Sequence, residues 1–171
     1  ERLKPLTNNC PKPMLHVGDK PILELILKQC IEAGLKKFYF SVNYLKDQII
    51  EYFGDGSKWG VNINYLEENI PLGTAGSLSL ITDIPKHDLM VLNGDVMTNL
   101  DFDRLFKFHN KLQSDITICT KNHKVSIPFA VLKTDGSIVS DLSEKPTYNY
   151  QVNAGVYLMK SSHIDAVPNS L

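Results

Sequence analysis

The chain is short of the features that mark most specialised classes of protein. Only three of its 171 residues are cysteine, Cys10, Cys30 and Cys119, and they are odd in number, far apart and without CxxC or Cys/His ligand spacing. That excludes a disulfide framework and a thiolate zinc site, and it leaves free thiols in a reducing cytoplasm as the expectation. No apolar run approaches the roughly 20 residues that span a bilayer as a helix. No charged-then-apolar leader opens the chain, so the expected protein is soluble and cytoplasmic. Charge of one sign is missing too. The 18 Lys and Arg against 19 Asp and Glu leave a net charge of -1, without the basic field on which nucleic-acid binding depends. An anionic partner must then be gripped by a few placed cations, which points to a small ligand. Low-complexity tracts, charge blocks and solenoid-type repeats are also lacking.

What is there is enough apolar material, 43% of residues, for one sizeable core, and too little length for two ordinary domains. Strand and helix patterns alternate. Pro21 suits the first turn of a helix, and Ile22, Leu25, Ile26, Gln29, Cys30 and Ala33 follow at helical spacing until Gly34 stops it. Residues 37–43 read as a strand buried on both faces. A helix is predicted over 46–53, a turn over 54–60, a strand over 61–66 and a helix from about Thr74. Leu89 to Leu92 is a short apolar run that stops at Asn93-Gly94-Asp95, as a central strand does at a polar loop. After a helix over 102–112 and a strand over 116–120, strands are predicted at 129–133, 137–142 and 152–159 with little helix between them. The reading is an α/β protein with a mixed, doubly wound Rossmann-like sheet whose second half is more antiparallel.

The opening, ERLKPLTNNCPKPML, sets Arg2, Lys4 and Lys12 among three prolines, and a backbone of low freedom holds cations in place. The string RLxPLTxxxPKPML, followed by KPILE at Lys20 to Glu24, resembles the signature of the sugar-1-phosphate nucleotidylyltransferases, in particular those of the mannose-1-phosphate guanylyltransferase type. The resemblance continues in order. Pro71 to Gly76 matches that family's LGTAG loop, Asn93-Gly94-Asp95 its GD turn, Glu144-Lys145-Pro146 its EKP and Asn153-Ala154-Gly155 its NAG strand. Each motif alone has an ordinary reading as a turn, a cap or a surface lysine. Five in sequence over nearly the whole chain do not.

The resemblance implies a fold of the nucleotide-diphospho-sugar transferase type, with 1–171 as a single nucleotidyltransferase domain. It also implies that the chain is truncated at both ends, starting after the family's glycine-rich phosphate loop and stopping before its second metal-binding aspartate, so the expectation is that these 171 residues alone are weak or inactive. The implied reaction moves a nucleotidyl group from a nucleoside triphosphate to a sugar 1-phosphate and releases pyrophosphate. Both reactants are polyanions. At about 4 Å and an effective dielectric near 20, each pair of like charges repels by roughly 4 kcal/mol, so the chemistry needs cations more than it needs a nucleophile. By resemblance Arg2 and Lys12 take the triphosphate and the developing pyrophosphate, Lys145 takes the sugar phosphate, and Asp95 binds Mg²⁺. Gly73 and Thr74 line the nucleotide. Glu144, Lys145, Asn153 and Gly155 hold the sugar phosphate.

Glu68 stands five residues before Gly73, where uridylyl- and thymidylyltransferases of the family usually carry Gln. A carboxylate only accepts, and guanine offers an N1–H beside an amino group, so GTP is the expected nucleotide, with Glu68 its reader or else a plain strand-end charge. The sugar stays open among mannose, glucose and amino sugars. His16, His87, His109, His123 and His163 share no spacing and receive no role. Two other readings stand beside this one: a non-catalytic regulatory or nucleotide-sugar-binding module of the same fold, and a uridylyl-, thymidylyl- or cytidylyltransferase.

Overall fold

The computed structural model describes residues 3–70 and 72–168, with Thr74 described through its backbone alone. Arg2 and Pro71 lie outside the described residues. The chain divides into two compact units, Glu1–Thr117 with Val156–Leu171, and Ile118–Gly155.

The first unit opens with two short strands, β1 (His16–Val17) and β2 (Lys20–Pro21), paired antiparallel. Helix α1 (Ile22–Glu32) follows directly. Pro21, expected in the first turn, stands as its N-cap, one residue before Ile22. Leu23, Ile26, Leu27 and Cys30 are buried, the i, i+3, i+4, i+7 stripe of an amphipathic helix. Its end is a Schellman closure: Gly34 sits at φ +86°, its N–H bonds Ile31 O at 2.9 Å, and Leu35 N–H reaches Cys30 O at 3.1 Å, so the last carbonyls find partners. Strand β3 (Lys37–Val42) pairs in parallel with β4 (Asn62–Glu67), Lys37 against Asn62 through Val42 against Glu67. Between them lies α2 (Lys46–Phe53), as the sequence predicts. Phe53, fully buried, packs edge-on to Phe40 at 5.3 Å between ring centres.

The predicted helix from Thr74 is a four-residue turn, α3 (Gly73–Gly76), that tightens into a 3₁₀ turn over Ser77–Leu80. Strand β5 (Leu89–Leu92) and helix α4 (Phe102–Leu112) have their predicted bounds. Asp101 caps α4 by accepting the Arg104 N–H at 2.9 Å, and Phe102, Leu105 and His109 form its buried stripe.

Strand β6 (Ile116–Ser126) runs six residues beyond its predicted end, and β9 (Thr147–Met159) starts five residues early. The polar, exposed parts of both strands carry no apolar alternation from which to read a strand. Side chains tie them instead: Thr120 Oγ1 donates to Gln151 Oε1 at 2.8 Å, and Gln151 Nε2 to Asn122 Oδ1 at 2.6 Å. Between them β7 (Val131–Asp135) and β8 (Ile138–Ser143) form an antiparallel hairpin, with a register shift at Lys133/Thr134 and Gly136 at φ +57° in its turn.

The mixed α/β character is as read, but the ladders fall into separate sheets. Among the described residues β3 pairs only with β4, and β5 lies at the edge of the three-stranded sheet β5-β9-β6. The central position expected for 89–92 is therefore not what the ladders give. Even so, β3 and β5 share the same packing layers. Phe38, Met90 and Leu92 all pack against Ile26, Cys30 and Phe102 on one face, and Tyr39, Leu89 and Val91 all pack against Leu66, Leu78 and Ile81 on the other. A cavity of about 820 Å³ runs between the two strands over α1. Residues 38–40, expected to be buried on both faces, line that cavity and are half-buried.

Candidate active site

The C-terminal ends of β3, β4 and β5 open on three loops, and each carries part of the residue set expected from the sequence. The first is the proline-bounded stretch that ends in a 3₁₀ turn over Lys12–Met14, where Met14 N–H bonds Pro11 O at 2.8 Å. Pro11 and Pro13 fix their own φ, so the Lys12 backbone has little freedom, and its side chain, 53% exposed, is free to reach. Two side chains hold this loop from outside. Tyr44 OH donates to Asn8 O at 2.6 Å and Gln48 Nε2 donates to Asn9 O at 3.0 Å.

The second loop is Asn93-Gly94-Asp95, closed by Val96 N–H to Asn93 O at 3.1 Å. Gly94 lies beside Pro13: a Cβ on it would stand 3.5 Å from the Pro13 ring, an ordinary van der Waals distance. The first two loops are therefore in contact, and across that contact the Lys12 ammonium makes a direct ion pair with the Asp95 carboxylate, which is 23% exposed. Eighty-three residues apart in sequence, the cation expected on the triphosphate and the carboxylate expected on the metal meet.

The third loop carries Glu68 and Gly73. Glu68 N–H bonds Val42 O at 3.0 Å, and its carboxylate accepts from two donors, the Ser41 hydroxyl on one oxygen and the Leu72 N–H on the other at 2.9 Å. Glu68 is thus more than a solvated strand-end charge. It caps the loop that leads into α3, with one further lone pair on each oxygen. Gly73 is at φ +76° and exposed, a conformation that L side chains rarely adopt. At Gly76 a Cβ would stand 2.7 Å from Leu72 Cβ, so only glycine lets the turn close on Leu72. Ser41, Glu68, Gly73, Asn93, Gly94 and Pro13 line one end of the cavity between β3 and β5.

Glu144, Lys145, Asn153 and Gly155 belong to the second unit, of which Gly155 is the last residue. Glu144 and Lys145 form the bend between β8 and β9. Both are about two-thirds exposed, with 4.0 Å between their charged atoms. Lys145 takes φ +44°, a left-handed conformation that costs a non-glycine residue energy. On β9, Asn153 Oδ1 accepts the Gly155 N–H at 2.9 Å, with Gly155 at φ +71° and buried. Arg2 lies outside the described residues, as does the Thr74 side chain.

Sequence reasoning missed Ser41, the partner of Glu68. It sits 27 residues away inside a strand, and only the parallel register of β3 with β4 brings the two together, so no local pattern announces it. Of the histidines, only His109 is buried, 1% exposed. Its Nδ1 is 2.6 Å from Thr117 Oγ1, which ties α4 to β6 and agrees with a structural place.

As a metal site, Asp95 offers one hard oxygen ligand. Among the described residues no group of three or more His, Cys, Asp or Glu converges to hold an ion. A single carboxylate fits Mg²⁺, which takes one or two from the protein and the rest from phosphates and water. It does not fit a closed protein cage.

The family model described as "Nucleotidyl transferase" matches residues 1–169. The chain is 34% identical over 172 residues to a mannose-1-phosphate guanylyltransferase of Mycobacterium tuberculosis, covering 98% of this chain and 48% of the relative. It is 31% identical over 191 residues to a UTP–glucose-1-phosphate uridylyltransferase of Synechocystis, with the same two coverages. Among solved structures HddC of Yersinia pseudotuberculosis superposes with a TM-score of 0.74 at 25% identity, over 99% of this chain and 76% of that one. The chain spans about half the length of these curated relatives. With the family model matching nearly from end to end and the LGTAG, GD, EKP and NAG elements in order, the chain belongs to the nucleotidyl transferase family, that of the sugar-1-phosphate nucleotidyltransferases.

Proposed function

We propose that this chain carries the nucleotidyl-transfer site of an enzyme that joins a nucleoside triphosphate, GTP by preference, to a sugar 1-phosphate. The observation that carries the reading is the meeting of Lys12 with Asp95 at the ends of β3 and β5. A cation and a hard carboxylate side by side suit a triphosphate bound with its metal. In the reaction a phosphate oxygen of the sugar 1-phosphate forms a bond to the α-phosphorus. The bond from that phosphorus to the bridging oxygen breaks, and pyrophosphate leaves with the electron pair. The attacking oxygen is already anionic, so no side chain need remove a proton, and catalysis consists of positioning and charge neutralisation.

Each residue then has a limited task. Lys12, with Arg2, neutralises the triphosphate and the pyrophosphate as it departs. Lysine suits this as a compact charge that keeps its donors mobile. Asp95 holds the Mg²⁺, which when bound withdraws charge from the phosphate oxygens. Gly73 and Thr74 lie against the nucleotide, and Glu68 presents its two remaining lone pairs to the N1–H and amino group of guanine. Lys145 neutralises the sugar phosphate, while Glu144, Asn153 and the Gly155 backbone orient the sugar hydroxyls. The likeness to both guanylyl- and uridylyltransferases leaves GTP resting on Glu68 alone. A second reading, a binding module without turnover, has no observation of its own in its favour.

The test is pyrophosphate release by the full-length protein across the four nucleoside triphosphates and a panel of sugar 1-phosphates, with and without Mg²⁺. Sugar-dependent and Mg²⁺-dependent release is expected, fastest with GTP, with the preference for GTP over UTP falling in Glu68→Gln. Binding without release would install the module reading. An unchanged preference in Glu68→Gln would remove GTP while leaving the reaction.

A further inference from the structure

One segment touches two of the three loops that the proposed reaction uses. It runs from Ser41, in the last turn of β3's pleat, through the Asn43-Tyr44-Leu45 turn to Gln48 in the first turn of α2. Three of its eight residues send side chains to those loops, and a fourth, Lys46, reaches the end of β4 that leads into one of them. Ser41 donates to Glu68, and Lys46 Nζ contacts Glu67 Oε2 at 2.5 Å. Tyr44 and Gln48 donate to the carbonyls of Asn8 and Asn9. The first pair grips the strand end before Gly73, and the second grips the loop before Lys12. The turn itself is stiffened by Leu45 at φ +52° and by Lys46 N–H to Asn43 O at 3.3 Å.

Exposed bonds of this kind contribute little to folding stability, and Tyr44 is 56% exposed. They do fix geometry. Asn8 and Asn9 precede Lys12 by four and three residues, with Pro11 between, so pinning two consecutive carbonyls sets where the Lys12 backbone stands. Glu68 is likewise held in plane by one donor on each oxygen.

We propose that residues 41–48 form a bracket that sets the distance between the phosphate-binding loop at Lys12 and the base-reading loop at Glu68 and Gly73, with Tyr44 the positioning residue on the phosphate side and Ser41 on the base side. This rests on the function proposed above. A nucleoside triphosphate spans both loops, base at one and phosphates at the other, so the spacing of the loops decides whether the α-phosphorus is presented for in-line attack. The bracket acts through Lys12 and Glu68 and touches no substrate itself.

The experiment compares the full-length wild type with Tyr44→Phe/Gln48→Ala, Ser41→Ala and Ser41→Thr in steady-state kinetics and in thermal unfolding. In the double variant kcat with GTP is expected to fall roughly 10- to 100-fold, the range in which small misplacements act. KM for the sugar phosphate and the ratio of GTP to UTP use are expected to hold. Ser41→Ala should lower the ratio of GTP to UTP use, and Ser41→Thr, which restores the hydroxyl, should recover it. Melting temperatures should stay within a few degrees of wild type. Wild-type turnover with unaltered kinetics in every variant would overturn the bracket alone. So would losses in all parameters that track a fall in melting temperature, since those report a structural role. A wild type that neither turns over nor binds any nucleoside triphosphate would overturn the reaction and the bracket together.

Discussion

At the scale of single residues, two features have direct physical consequences: the ion pair between Lys12 and Asp95, and the burial of the Cys30 thiol. Lys12 and Asp95 were legible because a short signature and a GD turn mark them. That they touch was not, since contact across 83 residues depends on Pro13 packing against Gly94. Glu68 was legible as a carboxylate at a telling spacing, but its cap on the Leu72 N–H was invisible without the loop's path. The three cysteines are expected to be buried free thiols; Cys30 is buried while Cys10 and Cys119 are half-buried, and for Cys30 burial has a measurable consequence. At 2% exposure its thiol is pushed up to about 11 by desolvation. An unfolded thiol ionises from about 8.5 upward, so between there and about 11 the unfolded chain has released a proton that the folded chain keeps. Stability therefore falls as pH rises through that window, by about 2–3 kcal/mol at about 1.4 kcal/mol per pH unit. Urea unfolding at pH 8 to 11 checks this: the difference between wild type and Cys30→Ala should shrink as pH rises, and parallel curves would refute it.

At the scale of elements, local signals were reliable where hydrophobic period and punctuation agreed. Helices α2 and α4 and strand β5 have their predicted bounds because Gly54 ends α2, the Asp101 cap starts α4 and a polar loop ends β5. The failures share a cause. The helix predicted from Thr74 shrinks to one turn because Gly76 must approach Leu72 and the chain then tightens. The ends of β6 and β9 escaped because polar side-chain pairs, not apolar alternation, hold them. The turn over 54–60, by contrast, was read from its glycines, and one of these admits no other residue. Gly56 sits at φ +88°, and a Cβ there would stand 2.8 Å from Val61 O and 2.9 Å from Ile63 Cγ1. Gly56→Ala should destabilise the fold by about 1–3 kcal/mol through backbone strain and the clash with a carbonyl. Chemical denaturation would show it as a lower midpoint. Gly60→Ala serves as control, because Gly60 shares positive φ but has open space around it, so an equal loss in both variants would assign the whole effect to φ and none to crowding.

For the whole molecule, composition and motif order carried furthest. Near-neutral charge with clustered cations pointed to a small anionic ligand, and five motifs in order pointed to the family. The way strands pair could not be read, because the same apolar runs serve a continuous sheet or separate ladders. The cavity between β3 and β5 appears only once the ladders are known. Lys12 with Asp95 gives the account its centre, and removing either side chain should cost about 100- to 1,000-fold in kcat/KM, as for the loss of one preorganised charge-stabilising group. The most direct measurement is ³¹P NMR of the full-length protein mixed with GTP, Mg²⁺ and each of a panel of sugar 1-phosphates, beside Asp95→Asn. With at least one sugar 1-phosphate the wild type should yield a diphosphate-bridged nucleotide sugar and an equal amount of pyrophosphate, and the variant almost none over the same time. Inorganic phosphate as the product, or a variant as fast as the wild type, would contradict it.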